Sequence, residues 1–136
     1  MLLSYFFSHP RRMSVRKYKS GEERIIAVIA DEDTITGFLL AGVGDNDPRK
    51  SRGQNFFVVS KTTPLADIEN EFKRFVSRPD IGVILICQHI ANDIRHVIAE
   101  HAEPLPCVLE IPSKDLPYDA EKDEVLQKIN RSLGLK

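Results

Sequence analysis

The feature that most constrains this chain is a set of four short apolar runs that do not alternate with polar residues. Strands buried between helices on both faces of a parallel sheet have this pattern, whereas half-exposed strands alternate. Longer segments with helical periodicity separate the runs, as in successive βα units. We therefore expect a small α/β domain of the doubly wound (Rossmann-like or flavodoxin-like) class with a four-stranded parallel sheet. The predicted strands are residues 25–30, 55–60, 81–87 and 106–111.

The segments between the runs carry helix start and stop signals. Thr63 followed by Pro64 predicts a helix with Thr63 as its N-cap, because proline is favoured at the first helical position. Arg78 precedes Pro79, so this helix is expected to end there. A second helix is expected over residues 88–102.

The tail predicts a projecting amphipathic helix. It starts acidic at Asp119, ends basic and closes with Gly134, which suits the helix dipole and a left-handed C-cap. Pro112 and Pro117 stiffen the link that precedes it. The apolar stripe of this helix consists of Val125, Leu126, Ile129 and Leu133, and it needs a partner surface to cover it.

These patterns predict that the chain is divided into three parts. Residues 1–24 carry six lysines and arginines against two acids, and we expect them to form a basic, disordered N-terminal extension. Residues 25–112 are expected to form the α/β globular domain, and residues 113–136 the linker and the C-terminal helix.

Composition narrows the function classes. The chain is 42% hydrophobic and 29% charged, which is a globular balance, and its net charge of -1 gives no general reason to expect nucleic-acid binding. No apolar run approaches the roughly 20 residues of a membrane span, so direct membrane insertion is not expected. Cys87 and Cys107 lie inside apolar runs, which favours reduced packing thiols over a disulfide.

Three consecutive acids, Asp31, Glu32 and Asp33, follow the first predicted strand. Ligands of open α/β sheets bind beyond the carboxyl ends of the strands, so this is a place where chemistry is expected. The acids resemble the Mg²⁺ ligands of a response-regulator receiver, but the middle strand ends in Cys87 and lacks the aspartate that accepts phosphate. We expect Asp31 or Asp33 to cap the helix that follows, and keep a degenerate receiver-like module that senses a divalent ion through Asp31 and Asp33 as the alternative.

Other candidate sites are weaker. The segment 44–51 departs from a phosphate-binding loop because Arg49 replaces a glycine. Cys87 lies close to His89 in sequence, but nothing nearby would orient the histidine for nucleophilic catalysis. One helix flank could hold zinc but is more typical of a solvated face; it consists of His89, Asp93, His96 and Glu100. We expect no cofactor, metal or catalytic residue.

Four segments in order, IIAVIADEDTITGFLLAGVG, NFFVV, DIGVILICQHIANDIRH and VLEIPSKDLPYDAEKD, resemble the F-subunit family of the eukaryotic vacuolar-type H⁺-ATPases. The resemblance covers residues 25–134. It implies a non-catalytic rotor subunit of the central stalk, on the cytosolic face of vacuolar and other endomembranes. A rotor protein of this family binds the coiled coil of the D subunit and links ATP hydrolysis in the A/B ring to proton movement through the membrane-sector rotor.

Carried onto this sequence, the resemblance implies two sets of partner-binding residues. The first is the stripe of the last helix, Val125, Leu126, Ile129 and Leu133. The second is the signature surface at the strand ends, Gln88, His89, Ser113 and Lys114. Two features depart from the family: residues 1–23 form a longer leader than is usual, and Cys87 stands where a polar residue is common.

Overall fold

The computed structural model describes residues 23–44 and 53–135, and these contain a four-stranded parallel sheet. The spatial order of its strands is β2-β1-β3-β4, and each neighbouring pair is parallel. This order begins at the centre and grows to both sides, so the predicted doubly wound α/β class is confirmed. The strands are β1 (Ile25–Ala30), β2 (Phe56–Val58), β3 (Ile81–Cys87) and β4 (Cys107–Ile111).

Two strands are shorter than the sequence predicted. β2 was expected over 55–60 and spans Phe56–Val58, although the Asn55 carbonyl still accepts a hydrogen bond from the Val28 amide at 3.0 Å; Ser60 belongs to the next turn. β4 begins at Cys107 and not at Pro106, since proline has no N–H for the ladder. The boundaries of β1 and β3 are as predicted.

Helices cover both faces of the sheet. Right-handed crossovers place the helix after β1 on one face and those after β2 and β3 on the other. The core between the layers is apolar and closed, with Ile29, Ile84, Ile86 and Phe75 each 0% exposed. The helices are α1 (Glu32–Leu40), α2 (Leu65–Ser77), α3 (Gln88–Asp93), α4 (Arg95–Glu100) and α5 (Glu124–Leu133), with a 3-10 turn at Ala120–Lys122 before α5.

The predicted start of α2 was wrong by one residue. Pro64 occupies the N-cap position, and the hydroxyl of Thr63 instead accepts a hydrogen bond from the Ser60 amide at 2.9 Å. That bond closes the turn after β2, so Thr63 is not available as a cap. The predicted end is confirmed, because Arg78 is extended immediately before Pro79.

The helix predicted over 88–102 is two short helices. The backbone breaks at Ile94, where φ is -112° and ψ is 26°. Asn92 and Asp93, which are poor helix formers, precede the break. Ile94 is 0% exposed, and Arg95 is brought against Glu110 of β4.

The tail helix starts later than Asp119. Asp123 interrupts it, because its carboxylate accepts hydrogen bonds from the amides of Val125 at 2.9 Å and Leu126 at 3.1 Å and so caps a new helix. Gly134 ends α5 in the left-handed conformation with φ 69°, as predicted. Residues 1–22 of the predicted N-terminal extension, and 45–52 of the loop before β2, lie outside the described residues.

Candidate functional site

A cavity of about 760 Å³ lies beyond the carboxyl ends of the strands. Parallel strands end at the same edge of a sheet, so residues far apart in sequence meet there. The lining includes Asp31 and Asp33 after β1, Ser60 after β2, His89 after β3 and Lys114 after β4. The sequence correctly placed the acids at this edge.

Asp31 is used locally, as the N-cap of α1. Its carboxylate accepts hydrogen bonds from the Thr34 amide at 3.2 Å and the Thr34 hydroxyl at 2.8 Å, and the Cys87 thiol donates to it at 3.6 Å. Burial acts to raise the pKa of Asp31, but these hydrogen bonds outweigh it and the pKa lies below its usual value. The predicted cap is therefore confirmed.

Asp33 faces Lys114 across the cavity. The ammonium donates to the carboxylate at 3.0 Å, and this hydrogen bond raises the pKa of Lys114. The Asp33 and Lys114 side chains are 66% and 70% exposed, so the pair is a solvated surface contact of little energetic weight. The two acids of the receiver-like alternative thus have different roles: Asp31 caps a helix and Asp33 pairs with a lysine.

The strand-end thiol is not an activated nucleophile. Cys87 is 0% exposed, and burial is the main cause that raises its pKa to about 11. A thiol with that pKa is protonated at neutral pH, whereas reactive cysteines have lowered pKa values. Both Cys87 and Cys107 are free thiols.

Within the described residues, no group of three or more histidine, cysteine, aspartate or glutamate side chains could hold a metal ion. The flank considered for zinc is divided by the break at Ile94. His96 instead lies 3.2 Å from Glu69 of α2, measured between Nε2 and Oε1. The Nδ1 atom of His89 is buried and has no hydrogen-bond partner among the residues that the structure describes.

A buried polar cluster ties the linker after β4 back to the domain. The Gln88 amide group donates to the Asp119 carbonyl at 2.7 Å and to Glu110 at 3.1 Å, and its oxygen accepts the Asp119 amide proton at 2.6 Å. Glu110 in turn pairs with Arg95, with one guanidinium contact at 3.3 Å. We call the paired contacts between Gln88 and the Asp119 backbone the Gln88–Asp119 clamp.

The remaining strand-end signature residues are more accessible than Gln88. Ser113 closes a turn, in which its hydroxyl accepts the Leu116 amide and its own amide donates to the Leu116 carbonyl, each at 3.2 Å. His89 and Ser113 are half-buried and Lys114 is exposed. These three line the cavity together, whereas Gln88 is only 6% exposed.

The apolar stripe of α5 lies apart from the cavity. None of the residues of α5 is buried, and Ile129 and Leu133 are 48% and 66% exposed. Val125 and Leu126 are half-buried near the start of the helix. The helix is well capped at both ends, so it is formed locally, while the outer part of its apolar side at Ile129 and Leu133 stays exposed.

Sequence reasoning missed the roles of Glu110, Arg95 and Asp119. One signal was available: a glutamate inside the apolar run CVLEI is unusual, because a buried carboxylate needs a partner. The partners could not be read from spacing, since Arg95 and Gln88 are 15 and 22 residues away from Glu110.

Comparison with known proteins identifies the family. The family model described as ATP synthase (F/14-kDa) subunit matches residues 26–129, which reach from β1 into α5. The F subunit of the V-type proton ATPase of Homo sapiens is 51% identical over 109 residues, covering 80% of this chain and 90% of the human one. This chain belongs to the F-subunit family of the V-type proton ATPases.

Other members of the family have similar identities. The V-type proton ATPase F subunit of Dictyostelium discoideum is 50% identical over 113 residues, covering 83% of this chain and 92% of that protein. The F subunit of Xenopus laevis is 55% identical over 101 residues, covering 74% of this chain and 90% of that protein. A crystal structure of the F subunit of the V-type ATP synthase from Archaeoglobus fulgidus is 25% identical, with a TM-score of 0.46, and covers 65% of this chain and 98% of its own.

Family membership confirms the resemblance found from the sequence, and the protein is a subunit of a V-type proton ATPase. In the described part of this F subunit, no helix is both long enough and apolar enough to cross a membrane.

Proposed function

We propose that this F subunit is a non-catalytic component of the central stalk that binds the D subunit and rotates with it. In this role it couples ATP hydrolysis in the A/B ring to proton translocation through the membrane-sector rotor, on the cytosolic face of vacuolar and other endomembranes. The 25–112 domain is the globular body, and the linker and helix of 113–136 form the arm that contacts the stalk. The basic extension of 1–24 has no assigned role.

The observation that carries this proposal is the exposed part of the apolar side of α5. Ile129 and Leu133 are 48% and 66% exposed on a helix capped by Asp123 and Gly134. An amphipathic helix gains most of its stability by burying its apolar side, so a formed helix with that side open fits a partner helix or groove. A coiled coil offers a long helical surface against which the apolar side of α5 can pack.

The strand-end residues support a contact role more than a chemical one. The Asp31 carboxylate is occupied as a cap, and the Cys87 thiol is held protonated by burial. We propose His89, Ser113 and Lys114 as a secondary partner surface. Gln88 is 6% exposed, so we propose that it contributes through the linker rather than by direct contact.

Ile129→Asp tests the proposed interface. A charge placed in a buried helical contact costs about 2 to 4 kcal/mol, so we expect affinity for the D subunit to fall roughly thirtyfold or more. The measurement is co-purification of the full chain with the co-expressed D subunit, followed by titration of the purified proteins. Circular dichroism should show that the α/β domain remains folded, since Ile129 lies outside the core.

Gln127→Asp is the matched control. It introduces the same charge on the same helix, and helical geometry places position 127 on the side opposite the stripe. We expect this variant to retain the D subunit at the wild-type level. Equal retention of the D subunit by the Ile129→Asp variant would refute α5 as the stalk contact.

A further inference from the structure

The polar cluster around Gln88 is not needed to close the core, yet it satisfies every hydrogen-bonding group of a buried side chain. Gln88 presents an amide with two donor hydrogens and one acceptor oxygen. The hydrogens go to the Asp119 carbonyl at 2.7 Å and to Glu110 at 3.1 Å, and the oxygen accepts the Asp119 amide at 2.6 Å. A reversed side-chain amide would set its oxygen against two acceptors, so the orientation is determined.

We infer that Gln88 is a positioning residue, which sets where the C-terminal arm leaves the domain by holding both backbone groups of Asp119. This inference rests on the proposed function, because it explains how the arm that carries the stalk contact is aimed. A glutamine can serve both the N–H and the C=O of one residue, much as a neighbouring strand would. The clamp therefore fixes the linker 31 residues away in sequence without any regular secondary structure.

The other side of the clamp is anchored in the sheet. Glu110 lies in β4, its side chain is 0% exposed, and it pairs with Arg95 at the start of α4. This pair fixes the carboxylate that receives one amide hydrogen of Gln88. A buried charge pair of this kind is weak evidence for added stability, but removal of one partner leaves an uncompensated charge, so the two side chains are held together.

Beyond the clamp, hydrogen bonds continue to the first turn of α5. The Asp119 carboxylate accepts the Glu121 amide at 3.0 Å, and Tyr118 donates its hydroxyl to Asp123. Asp123 is 7% exposed and caps α5 by accepting two backbone amides. Hydrogen bonds thus connect the core to the start of α5, and among the described contacts of Asp119 only the clamp joins residues that are far apart in sequence.

Gln88→Met tests the clamp in the isolated full-length protein by NMR. Methionine keeps the length and volume of the side chain but can neither donate nor accept the clamp hydrogen bonds. We expect the Asp119 amide proton to exchange with solvent at least about tenfold faster than in wild type, since it loses its acceptor. We also expect lower heteronuclear NOE values across α5, with unchanged exchange in β3.

Two further variants separate the clamp from general damage. Asp93→Ala changes an exposed residue of the same helix and should leave the Asp119 exchange rate at the wild-type value. Gln88→Glu keeps the acceptor but lacks the donors and adds a charge beside Glu110, so it should also release Asp119.

Affinity for the D subunit distinguishes this inference from the proposed function. With Gln88→Met we expect roughly tenfold weaker binding, because an arm that is no longer preorganised must be ordered on binding. If Ile129→Asp leaves binding intact, the proposed interface fails, whereas the exchange measurement still tests the clamp. Unchanged Asp119 exchange in a folded Gln88→Met variant, or wild-type affinity despite a released arm, would overturn the positioning role.

Discussion

Arg95→Met is the sharpest test of how the buried cluster is held. Arg95 is the cation that pairs with Glu110, and methionine retains much of its aliphatic stem while removing the charge. In this variant Glu110, whose side chain is 0% exposed, keeps only one described side-chain partner, which is the Gln88 amide at 3.1 Å. We therefore expect a large loss of folding stability from a residue outside the apolar core.

The magnitude follows from the burial of the pair. Breaking a buried ion pair by removing one partner costs about 3 to 5 kcal/mol, and the lower end applies here because one charged hydrogen bond remains. The Arg95 side chain is also 23% exposed, so water can reach the position of the guanidinium once the side chain is shortened. We expect the free energy of unfolding to fall by about 3 kcal/mol at neutral pH.

The assay is urea unfolding followed by circular dichroism, with the slope of the transition compared between variants. The control is the double variant Arg95→Met with Glu110→Gln, in which a neutral amide replaces the unpaired carboxylate. Most of the lost stability should return in the double variant, because a buried neutral group needs no cation. A loss below about 1 kcal/mol in the single variant, or no recovery in the double, would refute this account of the cluster.

Three further predictions concern single groups. Asp31→Ala should lower the free energy of unfolding by about 1 kcal/mol. Because the pKa of Asp31 in the folded protein lies below its ordinary 3.8, the difference from wild type should be full above pH 4 and shrink as the pH falls further. An undiminished difference at pH 2 would contradict this. Cys107 should be alkylated well before Cys87, whose burial raises its pKa to about 11; equal rates in the native protein would contradict this. The hydrogen bond from Tyr118 to Asp123 raises the pKa of Tyr118 to about 12, so a titration should show a phenolate transition at high pH that Tyr118→Phe removes. The stability that this hydrogen bond provides should hold below pH 10 and fall above it.

The parts of this fold that local patterns specify were predictable. Apolar runs without alternation located β1 and β3, since a buried strand is apolar on both faces. Asp31 and Asp33 were recognisable as candidate caps because capping depends on residues three positions apart, and the structure shows that Asp31 is the cap. The stripe of α5 was visible for the same reason, since its members recur at helical spacing.

The parts that depend on tertiary contacts were not predictable. The helix break at Ile94 occurs where Arg95 meets Glu110, and neither residue marks the other in the sequence. Thr63 was assigned to a helix cap on local grounds, but its hydroxyl closes the preceding turn. The family resemblance implies a surface position for Gln88, but the linker at Asp119 packs against its side chain and leaves it only 6% exposed.

The sheet is covered more fully on one face than on the other. The less fully covered face is the one on which α1 lies, because Arg95 at the start of α4 pairs with Glu110 on the other face. Here Leu109 of β4 and Ile26 of β1 stay 42% and 37% exposed on that face, and the register sets Ile26 level with Val83 of β3. Glu110 points to the opposite face, where it accepts a hydrogen bond from Gln88, and Gln88 in turn holds the linker at Asp119, so the linker meets the domain on the side where α3 and α4 lie. Within the described residues, the exposed part of this sheet face and the exposed part of the apolar side of α5 are therefore two apolar surfaces open to a partner protein.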